Sequence, residues 1–162
     1  RLAALALIVV LAAACGSTDR PRYSSEEPAG STRWVEIDAE PAWVQAPPAE
    51  PGKLRFVAEG RSNLRSIAAT GDRPTAGKEA ERFVTDRLQA LVGADAAATA
   101  AAAARSGLTL VRRACREEIL TRDPVPGNTL CTAWALWEVP VEDVLASLPA
   151  TQREAAAAAL AR

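Results

Sequence analysis

The first sixteen residues decide how much of this chain takes part in folding. Arg1 is followed by an unbroken apolar run from Leu2 to Leu11 and then by Ala12-Ala13-Ala14-Cys15-Gly16. A basic start, a hydrophobic stretch of about ten residues and small residues before a junction are the three parts of a secretory signal. A membrane-spanning helix needs about 20 apolar residues, so the run is too short to be read as one. Removal of residues 1–14 leaves roughly 150 of the 162 residues, enough for one domain with a real core but not for two large ones.

Cysteine at the junction resembles a bacterial lipobox, in which signal peptidase cuts before a cysteine whose sulfur carries diacylglycerol. Cys15 then becomes the first mature residue and the membrane anchor. Ala12 stands three residues before it, where lipoboxes favour Leu, and Leu11 lies one position earlier. An ordinary secretion signal with a chance cysteine is the alternative. The remaining thiols, Cys115 and Cys131, can form a disulfide in an oxidising envelope. The alternative is two buried free cysteines acting as small hydrophobes.

Composition excludes several classes of function. The chain has 19 basic and 20 acidic residues, with the arginines spread along it, so no nucleic-acid partner is expected. Histidine is absent, which removes Ser-His-Asp and Cys-His catalysis and the usual proton shuttle. Zinc would have to be held by Cys115, Cys131 and carboxylates at no recognised spacing, so neither a metal nor another cofactor is expected.

Residues 15–33 are polar, with Pro, Gly and a single Tyr23, and read as a flexible tether with a reach of about 25 Å. Trp34 to Ile37 suggests a short strand. The prolines around Trp43 predict an extended segment pinned by that ring. Leu54, Phe56 and Ala58 alternate with Arg55, Val57 and Glu59, which predicts a half-buried strand near 54–60. Thr75 is a candidate cap for a helix over about 76–92, with Ala80, Phe83, Val84, Leu88, Leu91 and Val92 on one face.

Gly93 interrupts that helix, Asp95 can cap a second, and the Ala-rich run to Arg105 has high helix propensity but little side chain to pack. Residues 109–121 fit helical spacing through Leu108, Val111, Cys115 and Ile119. They also fit a strand with Thr109, Val111, Arg113, Cys115, Glu117 and Ile119 on one face. The turn at Asp123 to Asn128 and the Trp-rich strand after it favour a hairpin near 109–139. A short helix follows Pro140, and Thr151 with Glu154 forms a capping box for an Ala-rich helix over 149–162. The expected fold is α+β, a small antiparallel sheet packed on the amphipathic helix, with one domain over 34–148.

Gly71 to Lys78 invites comparison with a phosphate loop, but five residues separate the glycines and Glu79 stands where a metal-binding hydroxyl is needed. It reads as a capped loop. Ser62 after Gly60-Arg61 lacks the second glycine of a nucleophile elbow and has no histidine to activate it. Glu117-Glu118 and Glu142-Asp143 are adjacent and point different ways, as solvated charges do. Trp134 and Trp137 project to opposite faces of a strand, so at most one is expected in the core, the other being exposed or covered by a helix or the proline-rich segment. Trp34, Trp43 and whichever of Trp134 and Trp137 is exposed are therefore the candidate partner-binding anchors.

Taken in order, Cys15, Pro41-Ala42-Trp43-Val44 with Pro47-Pro48, the strand to Gly60-Arg61-Ser62, the helix after it and Trp134-Ala135-Leu136-Trp137-Glu138-Val139-Pro140 running into Val141 to Leu145 resemble the Lpp-twenty family. These are small bacterial outer-membrane lipoproteins whose domain type is shared with flagellar-assembly lipoproteins. The likeness covers about residues 41–148. It departs at Ala58-Glu59-Gly60, where the family often has Gly-x-Gly, and in the Ala-rich insert after Gly93. The resemblance implies a compact α+β domain, no catalytic residues, and a role in assembly or scaffolding with an envelope or surface-structure protein as partner. By the sorting rule for such lipoproteins, Gly16 rather than Asp after Cys15 implies the outer membrane, on its periplasmic face. A periplasmic small-ligand or glycan-binding module is the alternative, and a hydrolase built on carboxylates is a poorer third.

Overall fold

The alternation around Phe56 sets the two faces of the sheet. The computed structural model describes residues 22–27, 39–63, 72–120 and 128–161. In chain order these form β1 (Arg22–Glu27), α1 (Ala42–Gln45), β2 (Lys53–Ser62), α2 (Asp72–Val92), α3 (Ala94–Ser106), β3 (Thr109–Leu120), β4 (Asn128–Pro140), α4 (Val141–Ala146), a 3-10 turn (Ala150–Gln152) and α5 (Arg153–Leu160). The fold is α+β. The sheet is antiparallel throughout in the order β1-β3-β4-β2.

Residues directly opposite in a ladder share a face. Leu54, Phe56 and Ala58 lie opposite Val139, Trp137 and Ala135, and this set faces α2 and α3. Ala76, Ala80, Val84 and Leu88 recur at four-residue intervals on α2 and are buried against it. Phe56 and Phe83 meet edge to face at 5.7 Å. The Ala-rich α3 is buried through Ala97, Ala100, Ala101 and Ala104. Its small side chains let the helices approach closely, so the want of bulk becomes the means of packing. Val144, Leu148, Ala156 and Leu160 close the end of this core.

Several local expectations change. The strand alternative for residues 109–120 is the one adopted, but a register shift between Leu110 and Arg112 splits the face expected for it. Leu110 lies opposite Trp137, whereas Arg113 and Cys115 lie opposite Ala135 and Ala133, so the bulge returns the chain to the same face one residue late. Helix α2 begins at Asp72 rather than Ala76, because Pro74 falls in the first turn, where its missing N–H costs nothing. Leu91, expected on the buried face, is 54% exposed at the end of α2.

Gly93 caps α3 with φ of 86°, a conformation that favours glycine, and Asp95 sits in the first turn instead. No side-chain cap forms at α5, and Arg153 reaches back to the carbonyls of Leu148 and Ala146. Residues 22–27, expected within the tether, pair with β3 as an edge strand. Trp34 to Ile37 lies outside the described residues. No helix among the described residues is long and apolar enough to cross a membrane.

Candidate functional site

Two polar clusters, one apolar cluster and one sulfur pair surround the sheet, and each depends on the register just given. At the N-terminus of α2, Asp72 is fully buried and accepts hydrogen bonds from Arg113 Nε at 2.8 Å and Nη2 at 3.3 Å. This fork-shaped pairing satisfies both carboxylate oxygens. The guanidiniums of Arg113 and Arg73 stand 5.8 and 5.7 Å from the centre of the Trp137 ring, within cation–π range. Gly71 to Lys78 is therefore helical from Asp72 onward, and its acidic residue turns inward to clamp β3 rather than outward as loop charge.

The opposite face of the sheet carries a smaller apolar cluster of Trp43, Ala114, Trp134 and Leu136, with Val44, Val57 and Val111 packed against it. Ala42–Gln45 is a single helical turn rather than an extended strap, and Trp43 is its pin. Trp134 donates its indole N–H to Glu59 at 3.2 Å, and Arg116 lies 5.2 Å from its ring centre. This corrects the anchors expected from the sequence. Trp43, Trp134 and Trp137 are only 6, 6 and 5% exposed, so none presents a ring for docking. Trp137 is in the helix-side core and Trp134 is packed with Trp43 of α1. Trp34 and Cys15 lie outside the described residues.

A third cluster centres on Glu138, which lies opposite both Arg55 and Thr109 in the sheet. Its carboxylate accepts hydrogen bonds from Arg55 at 3.0 and 3.1 Å and pairs with Lys53 at 3.3 Å. Burial alone would raise its pKa, but the hydrogen bonds and charges of Arg55 and Lys53 outweigh burial and hold the carboxyl below the usual value. Arg55 also pairs with Glu50 and donates to the Pro48 carbonyl at 3.0 Å, tying the proline-rich segment to β2. The groove beside this tie, of about 550 Å³, is lined by Pro47, Pro48, Pro51, Leu54, Val141 and Leu160 among others.

Cys115 and Cys131 are bonded to each other across β3 and β4, with Cα atoms 6.5 Å apart, and both are buried. Cys131 lies opposite Glu117, and Cys115 is two residues before it on the same face. The two sulfurs and a carboxylate oxygen of Glu117 lie within 4.8 Å of one another. Glu117 is thus half-buried beside sulfur, not one of two solvated charges.

Sequence reasoning missed the Asp72–Arg113 and Glu138–Arg55 pairs. The partners are 41 and 83 residues apart, so only the strand register reveals them. A weak signal was available in the charged residues set among apolar ones at Arg55 and Glu138. No family model matches this chain, and neither the curated proteins nor the solved structures hold a significant match to it.

Proposed function

We propose that this protein is a bacterial envelope lipoprotein, anchored through Cys15, whose α+β domain has a non-catalytic structural, assembly or protein-interaction role. One observation carries the reading. With Cys115 and Cys131 joined, Cys15 is the remaining cysteine of three, and it stands at the end of an apolar leader. A disulfide suits an exported protein, and an anchored cysteine completes the use of its thiols. A chain without histidine, whose buried carboxylate Asp72 is fully occupied by Arg113, supports a non-catalytic role.

The test is metabolic labelling with a clickable fatty acid in a bacterial host, comparing wild type with Cys15→Ala, followed by membrane fractionation. Label that requires Cys15 and follows the outer membrane is the expected result. An unlabelled protein in the soluble fraction would overturn the anchor.

The second reading is a small-ligand or glycan-binding module. Burial of Trp43, Trp134 and Trp137 removes three of the rings it would have used, and the proline-lined groove, in the size range of small-ligand pockets, is what favours it now. Thermal shift with glycan and metabolite panels checks it, and a ligand whose effect is lost in Ala161→Arg, at the exposed rim of the groove, would favour this reading over the first.

A further inference from the structure

We propose that Cys115, Cys131 and Glu117 form a redox-gated site for a thiophilic divalent cation, with zinc as its natural occupant. Three observations bring the ligands together. The ladder sets Glu117 directly opposite Cys131 and places Cys115 two residues earlier on the same strand, so all three share one face. Their ligand atoms lie within 4.8 Å of one another. The sulfurs are buried while the carboxylate is half-exposed, which gives an ion a dry sulfur floor and a route of entry from the carboxylate side.

Two thiolates and a carboxylate are zinc ligands, and three protein ligands leave the fourth tetrahedral position open. Zinc–sulfur bonds of about 2.3 Å set the two sulfurs about 3.8 Å apart. The Cα separation of 6.5 Å is near the wide end for a disulfide, so side-chain rotation supplies that spacing without moving the strands. Ala133, opposite Cys115 and clustered with both cysteines, adds only a methyl group beside the sulfurs.

The chemistry balances in two steps. A dithiol reductant transfers two electrons and two protons to the bond between Cys115 and Cys131, giving two thiols and its own disulfide. Binding of the cation then releases both thiol protons. In the oxidised protein the sulfurs are spent on each other and the site is closed.

The test uses the full chain in detergent with Cys15→Ser, so that only the paired thiols are available. Reduced protein is titrated with Co²⁺ as a spectroscopic probe and then with Zn²⁺ in competition with a chelator. A sulfur-to-cobalt charge-transfer band in reduced but not oxidised protein, displaced by Zn²⁺, is expected. Glu117→Gln keeps both cysteines and should weaken zinc binding by about tenfold or more, as loss of even an outer-shell partner does. Absence of the band in reduced protein, or zinc affinity unchanged by Glu117→Gln, would overturn the site.

Discussion

The two faces of the sheet are held by different means. On one, α2 lays a row of fully buried side chains, Ala76, Ala80, Val84 and Leu88, over Phe56, Ala58, Ala135 and Val139, and α3 joins the same core through Ala97, Ala100 and Ala104. On the other, one helical turn covers Trp134, Leu136 and Ala114 with a single ring, Trp43, and the flanks are ion pairs. The first face gains from buried area and close packing, which oppose opening anywhere along it. The second depends on one aromatic pin and on Arg55, which ties the proline-rich segment to the strand edge. A domain built this way opens first at α1, by local rather than global unfolding.

Substitutions can break or sharpen this contrast. Leu88→Ala, within the row on α2, should cost about 3–4 kcal/mol in chemical denaturation, because a buried leucine leaves a cavity. Asp72→Ala should cost about 3 kcal/mol by leaving Arg113 without its carboxylate. Asp72→Asn, which keeps one acceptor, should lose less by the same assay. Trp43→Ala should cost about 2 kcal/mol, below the usual range for a core tryptophan, because α1 can lift as a unit. A loss equal to that of Leu88→Ala would show that the two faces unfold together and that the contrast is mistaken.

The smallest effect concerns Glu138. Its folded pKa lies below the unfolded value, so its contribution to stability is present above the unfolded pKa and is lost as pH falls through the folded one. Stability measured from neutral to acid pH should therefore decline less steeply in Glu138→Gln than in wild type, by about 1 kcal/mol at most for a surface-edge cluster. Parallel curves would remove the Arg55–Glu138 tie from the second face.

What could be read in advance was whatever local periodicity controls. The break at Gly93, the strand through Phe56 and the buried positions Ala80, Val84 and Leu88 follow from spacing alone; the burial of both Trp134 and Trp137 does not, since alternation puts them on opposite faces without saying what covers either. Strand β1 was hidden because Arg22-Tyr23-Ser24-Ser25-Glu26-Glu27 has neither alternation nor β-branched residues, and its ladder comes from the edge of β3. The split face of β3 was hidden because a bulge cannot be seen from a single strand. Thr75 was the better cap in isolation, yet the pairing of Asp72 with Arg113 fixes the earlier start of α2. Tertiary partners decide all three.

Peptide mapping by mass spectrometry, on protein taken from bacterial membranes without reduction, tests the functional reading most directly because it follows all three cysteines at once. The expected result is a diacylglycerol-modified Cys15 at the mature N-terminus together with a peptide pair linked through Cys115 and Cys131. A Cys15 recovered as a free thiol, or bonded to either of the other two, would contradict it.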